Sequence, residues 1–296
     1  MLSYRHGFHA ANHADVLKHC TLVSMLSLLR TKDTALLYID THAGAGAYAL
    51  HEGYSAMNEE WSGGLERLCS YCSKQGSESI PESIASYLAA LEAYGSIRRG
   101  DDGMATIPGN AIYPGSPGIA AMLLRPIDRL ALFELHPSDF APLSVLVSAD
   151  RRITSHNSDG LAGLRALLPP PSRRALILMD PSYELVQDYE TLVLALKEAL
   201  RRFSTGAYAI WYPLLEREEA RTLPSRLATL AKKSLDIRLR VRGSFPGERG
   251  MSGSGMLVLN PPWLLKEAME DALPYLAKAL GEDGGASFGI VERGLS

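Results

Sequence analysis

The sequence is short of the features that assign a chain quickly. It holds three cysteines in 296 residues, Cys20, Cys69 and Cys72. That is too few for a disulfide scaffold and suits a reducing, cytoplasmic compartment. Cys69 and Cys72 form a C-x-x-C, but no second pair completes a four-ligand zinc set, so no metal is expected. No apolar run is long and unbroken enough to cross a bilayer, and no membrane partner is expected. The opening residues are rich in His and Asn and lack the apolar core of a secretory leader. Internal repeats, low-complexity tracts and a Walker lysine motif are absent, the last arguing against a nucleoside triphosphatase. An excess of positive charge is missing too: 30 Lys and Arg stand against 33 Asp and Glu. Nonspecific phosphate binding feeds on cations, so composition alone does not announce a nucleic-acid partner. Local basic clusters do occur, at Arg151-Arg152, Arg173-Arg174, Arg201-Arg202 and along Arg238, Arg240 and Arg242.

What is present is ordinary in bulk and informative in order. The length allows one large domain, or one domain carrying an insertion. Apolar spacing predicts a helix over 13–29, then a compact run, Ala35-Leu-Leu-Tyr-Ile39, ended by Asp40 and the turn-prone Gly44-Ala-Gly46. That is a buried strand feeding a glycine loop. From about residue 50 to 110 the pattern changes, with helical stretches over 65–72 and 82–94 and a loose segment over 98–109. We read 50–110 as a small helical insertion subdomain, and 1–49 with 111–296 as the core. Strands then alternate with helices. Leu130–Phe133 ends in Glu134, 152–156 leads to Asp159-Gly160, Ala175–Met179 ends in Asp180, and Ala207–Trp211 ends at Tyr212-Pro213. Strands near 235–241 and 256–259, joined only by a loop, predict an antiparallel hairpin at one edge. The expected fold is α/β, a mostly parallel, Rossmann-like sheet with that edge hairpin.

Ligands of open parallel sheets bind outside the carboxyl ends of the strands. The residues there are Asp40, Glu134, Asp159 and Asp180, four carboxylates in succession, which points to one hydroxyl- and amine-rich ligand. The glycine loop falls short of the full dinucleotide fingerprint, so a nicotinamide oxidoreductase is weakly supported. Glu134 is placed to accept from both hydroxyls of a ribose, and Asp159-Gly160 to meet an adenine ring. Asp180-Pro-Ser-Tyr183 is the most informative run. Amino methyl transfer needs acceptors for the N–H protons of its target, which Asp180 and the Pro181 carbonyl can supply, and Tyr183 can stack on an extruded base. Asn260-Pro-Pro-Trp263 matches the same general pattern, but an antiparallel last strand would aim it away from the ligand edge. The opening arm, with Tyr4, Arg5 and His6, suits contact with phosphate and bases. His9 and His13, four apart, have no third metal ligand in sight.

Read together, these residues resemble the RlmJ family of bacterial 23S rRNA adenine-N6 methyltransferases. The resemblance rests on Met1-Leu-Ser-Tyr-Arg-His6, Asn12-His-Ala-Asp-Val-Leu-Lys-His19, Asp40-Thr-His-Ala-Gly-Ala-Gly46, Tyr113-Pro-Gly-Ser-Pro117, Glu134-Leu-His-Pro-Ser-Asp139, Trp211-Tyr-Pro213 and Asn260-Pro-Pro-Trp263. It spans nearly the whole chain. It implies a class I fold using S-adenosylmethionine, with His19, His42, Gly44, Gly46, Ser116, Glu134, Asp159 and Gly160 lining the cofactor pocket and Lys18 beside it. It further implies Asp180 as the catalytic acceptor with Pro181 and Tyr183, and Tyr4, Arg5 and His6 as RNA contacts. The expected substrate is 23S rRNA, protein-free or in an early assembly intermediate, and the expected state is a monomer. One position departs: the family pattern is Asp-Pro-Pro-Tyr, and here Ser182 stands third. A serine loosens the loop and adds an N–H needing a partner, yet the acceptor, the first proline and the aromatic remain, so activity is expected to persist. The rival readings are a DNA adenine-N6 methyltransferase, which normally carries a larger recognition domain, and a non-catalytic RNA-binding protein retaining the fold.

Overall fold

Eight strands form the central sheet: β1 (Leu37–Asp40), β2 (Arg129–Phe133), β3 (Ile153–His156), β4 (Ala175–Met179), β5 (Ala207–Pro213), β6 (Lys233–Arg240), β7 (Gly253–Leu259) and β8 (Ser287–Gly294). The computed structural model describes residues 6–75, 79–100, 104–244 and 250–294. The strand order is β8-β6-β7-β5-β4-β1-β2-β3. Strands β1 to β5 are mutually parallel, whereas β7 runs antiparallel to both β5 and β6. The centre of the sheet is covered on both faces, and β4 shows it: all five residues are buried. Leu176 and Leu178 join one core while Ile177 and Met179 join the other, the alternation a pleated strand imposes.

One face is covered by α1 (His13–Leu29), α5 (Ser116–Leu123), α6 (Pro137–Val147) and α10 (Leu265–Leu280), the other by α7 (Gly160–Leu167), α8 (Val186–Arg202) and α9 (Glu218–Ala228). The 13–29 helix starts at its N-cap Asn12, whose Oδ1 accepts from the amides of Ala14 and Asp15 at 2.9 and 3.0 Å. Residues 50–110 build α2 (Gly53–Asn58), a π turn (Ser62–Glu66), α3 (Arg67–Gln75) and α4 (Glu82–Tyr94). Leu65, Leu68, Ile84 and Leu88 from this segment pack in the same apolar core as Leu17 of α1 and Leu273 of α10. None of the helices among the described residues is long and apolar enough to cross a membrane.

The edge differs from expectation in one respect. The β6–β7 hairpin is there, but it is not the edge: β8 pairs antiparallel with β6 outside it. A border strand need not alternate in burial, and none of the residues of β8 is buried, so no apolar period marks it in the sequence. The reversal of β7 carries Asn260 to the edge opposite the carboxyl ends of β1–β5. There its Nδ2 donates to the carbonyls of Ser204 and Gly206 at 2.9 and 2.8 Å, and Asn260 itself turns the chain at φ 51°. That Asn-Pro-Pro-Trp run is a turn.

Candidate active site

The carboxyl ends of the parallel strands meet at a cleft of about 230 Å³ walled by Asp40's neighbours Thr41 and His42, by Gly44, Glu134, Asp159, Gly160, Asp180 and Pro181, and by Lys18, Ser116 and His6 from other elements. Each strand end is held by a defined set of bonds. Glu134 accepts from the amides of Gly44 (2.9 Å, Oε2) and His136 (2.6 Å, Oε1), and burial raises its pKa. Gly44 sits at φ +59°, and a Cβ there would lie 2.2 Å from the Tyr48 hydroxyl, so the glycine is required by both conformation and space. Asp40 is fully buried, which raises its pKa. It accepts from Ser116 Oγ at 2.6 Å, Tyr38 Oη at 2.9 Å and the His42 amide at 3.2 Å. Ser116 therefore fixes the end of β1. Asp159 is the N-cap of α7, its Oδ1 accepting from the amides of Leu161 and Ala162. Gly160 lies so close to β1's exit that a Cβ would fall 2.2 Å from the Thr41 carbonyl oxygen.

A second cleft, of about 640 Å³, opens beside the first and shares four residues with it: His6, Lys18, Asp180 and Ser182. Tyr183, Trp211 and Pro213 form part of its wall. At the junction Lys18 Nζ lies 2.6 Å from Asp180 Oδ2 and 2.7 Å from Asp15 Oδ1. Asp15 also accepts from His6 Nε2 (3.1 Å) and the Ala11 amide (2.9 Å). Burial opposes charge on Lys18, but the two carboxylates outweigh it and drive its pKa well up. Asp15 is likewise penalised by burial, yet His6 and Lys18 hold it well below the usual carboxylate range.

The expected residues do not all face the clefts. His19 is fully buried behind the wall, where Nδ1 meets Tyr113 Oη at 2.7 Å and Tyr113 meets Tyr87 at 2.9 Å. Burial lowers its pKa to about 3. Gly46 lines neither cleft; at φ +79° it packs under Leu143 and Leu146. Tyr183 borders the second cleft but, at φ +54°, is only 3% exposed, with its hydroxyl donating to the Trp211 carbonyl at 2.6 Å and its ring 4.8 Å from Tyr189. Tyr4 and Arg5 lie outside the described residues. The sequence reading missed Asp15, Tyr48 and Glu60, whose partners lie on other elements or need the turn geometry.

The basic clusters are also placed. Arg152 donates to the Leu124 and Ala121 carbonyls, and Arg174 to those of Thr34 and Leu29, while Arg201 and Arg202 pair with Glu198. Arg152 and Arg174 precede β3 and β4, on the edge away from the clefts. Arg238 pairs with Asp236. Cys69 and Cys72 are buried on α3, and among the described residues no three His, Cys, Asp or Glu gather as a metal set.

A family profile described as "Ribosomal RNA large subunit methyltransferase D, RlmJ" matches residues 33–290. The chain belongs to this family. Its relatives include proteins named "Ribosomal RNA large subunit methyltransferase J" from Haemophilus influenzae and Escherichia coli. The first is 42% identical over 291 residues, covering 98% of each chain. The second is 41% identical over 284 residues, covering 95% of this chain and 94% of the relative. A crystal structure of a Legionella pneumophila protein superposes with a TM-score of 0.82 at 32% identity, over 96% of this chain and 98% of that one. The Legionella protein thus shares the sheet along whose carboxyl edge the two clefts lie here.

Proposed function

We propose that the chain transfers a methyl group from S-adenosylmethionine to the exocyclic N6 of an adenine in 23S rRNA, acting in the cytoplasm as a monomer on RNA that is protein-free or early in assembly. The observation that carries this reading is the junction of the two clefts at Asp180. One cleft is ringed by strand-end carboxylates, the other has an aromatic wall, and a single carboxylate borders both.

The first cleft fits the methyl donor by its chemistry. Glu134 already accepts one backbone amide at each oxygen, and its remaining lone pairs suit ribose hydroxyls. Asp159 uses Oδ1 as a cap, so Oδ2 is left for the amine edge of an adenine. Gly44 and Gly160 let the backbone come close, and His42 and Ser116 complete the wall. When bound, the donor supplies an electrophilic sulfonium methyl.

The protein's own work is positioning. Lys18 occupies Asp180 Oδ2, while Oδ1 has no hydrogen bond among the described residues. Oδ1 is thus available to accept from the N6–H of the target, as is the Pro181 carbonyl. Both contacts localise the nitrogen lone pair that ring conjugation otherwise withholds. Tyr183, its hydroxyl fixed on the Trp211 carbonyl, borders the second cleft, where the flipped base would lie. His6, bonded to Asp15, borders both clefts and, with Tyr4 and Arg5, is assigned to the RNA.

The test is methyl transfer from labelled S-adenosylmethionine to unmodified, protein-free 23S rRNA, with Asp180→Ala alongside. Incorporation into N6-methyladenine is expected, falling at least about 100-fold in the variant while the donor still binds. Turnover that survives in Asp180→Ala overturns the assignment.

A further inference from the structure

The segment that interrupts the core between β1 and α5 contacts the N-terminal arm at four separate points. Glu60 accepts from His9 Nδ1 at 3.0 and 2.9 Å and from Asn12 Nδ2 at 2.9 Å. The Leu65 amide donates to the Ala11 carbonyl at 3.0 Å, and Ser55 Oγ to the Gly7 carbonyl at 2.8 Å. The rings of Phe8 and Tyr54 lie 4.6 Å apart. The approach at Gly64 is tighter than any side chain allows, since a Cβ there would sit 2.1 Å from the Ala11 carbonyl oxygen. Gly64 lies in the π turn, a geometry often found at functional positions.

We infer that this segment is a clasp, and that Glu60 is a positioning residue which sets the first turns of α1 and so brings Lys18 against Asp180. The inference rests on the proposed function for the meaning of the Lys18–Asp180 pair. The link is short and continuous. Glu60 holds the amide nitrogen of Asn12, while the other side-chain atom of Asn12, Oδ1, caps Ala14 and Asp15. Asp15 and Lys18 are one turn apart and in contact at 2.7 Å. Moving Asn12 therefore moves the cap, the turn and the cation together. The His9–Glu60 pair is also poorly placed to act as a mere staple. Both side chains are about one-third exposed, 37% and 32%, and border the second cleft, where an ion pair adds little to stability.

The experiment compares Glu60→Ala, Glu60→Gln and Gly64→Ala in the full chain, reading kcat, the donor's Kd and amide hydrogen exchange. In Glu60→Ala, kcat is expected to fall about tenfold, with donor Kd unchanged within twofold and exchange at residues 14–18 at least about tenfold faster. Exchange in α8, on the opposite sheet face, should be unaltered. Glu60→Gln keeps an acceptor for Asn12 and should recover most of the protection. Gly64→Ala, which forces the segments apart without touching a charge, should reproduce the alanine result. A fall in kcat without faster exchange overturns the inference, because Glu60 would then be contacting RNA directly. Faster exchange with unchanged kcat also overturns it, because the link to Lys18 would be without effect. Were the unaltered chain to transfer no methyl group, the proposed function would fail, and exchange alone would decide the clasp.

Discussion

Lys18 and Asp180 stand 162 residues apart in the chain and 2.6 Å apart in the fold, on α1 and at the end of β4. The contact ties the N-terminal helix to the strand whose carboxyl end carries the proposed acceptor. Lys18 also neutralises Asp15, so one cation serves two carboxylates. Replacing it with Met leaves Asp15 buried and reliant on His6. Lys18→Met should cost about 3–5 kcal/mol of stability, as breaking a buried pair usually does, and turnover should drop with it. Denaturant unfolding and initial rates read the two effects, and a stable, fully active variant would sink this account of the pair.

Gly160→Ala places a Cβ 2.2 Å from the Thr41 carbonyl oxygen, which is backbone and cannot step aside. The first turn of α7 must move, at a cost of about 1–3 kcal/mol, and Asp159 moves with it. Calorimetry should show donor affinity weakened at least tenfold while RNA affinity holds. Equal losses of both would mean general unfolding.

Ser182→Pro tests the departure from the family pattern. The Ser182 amide donates to no partner among the described residues, and its φ is not positive. A proline there removes no bond and should stabilise by about 0.4–1 kcal/mol by restricting the unfolded chain. Thermal melts and rates check this; a lowered melting midpoint means the loop needs a backbone angle that proline cannot take.

His19 makes the fold acid-sensitive. Its folded pKa is lowered to about 3 by burial, against an ordinary 6.5. Above pH 6.5 it is neutral in both states and costs nothing. As pH falls below 6.5 the unfolded chain takes up a proton that the folded one refuses, so stability is lost progressively down to the folded pKa. At pH 5 the loss is about 2 kcal/mol. His19→Gln should remove about 2 kcal/mol from the loss of stability between pH 7 and 5, read as a flatter fall in the melting midpoint. His13, lowered to about 4 by burial, adds a parallel contribution over a narrower range.

Much of this was legible because local rules and the fold agree. The helices over 13–29 and 82–94 follow from spacing and caps. The four carboxylates converge because parallel strands must end on one edge. Other parts needed three dimensions. Tyr183 is buried because a left-handed turn swings it under Trp211, and no spacing encodes that. His19 shares a helix with Lys18 one residue away, yet successive helical residues point about 100° apart, so only one of the two reaches the clefts. Glu60 has no local signature, as its partners lie 48 and 51 residues earlier.

The arginines at the rear edge of the sheet have a consequence for affinity. Arg125, Arg152 and Arg174 are occupied with the chain's own carbonyls and carboxylates. They are therefore not available to displace counterions from a nucleic acid. On RNA, each phosphate contacted steepens the fall of log affinity with log salt by about 0.7–0.9. These three of the chain's 30 Lys and Arg should therefore add nothing to the salt slope of RNA binding, which is left to cations beside the clefts.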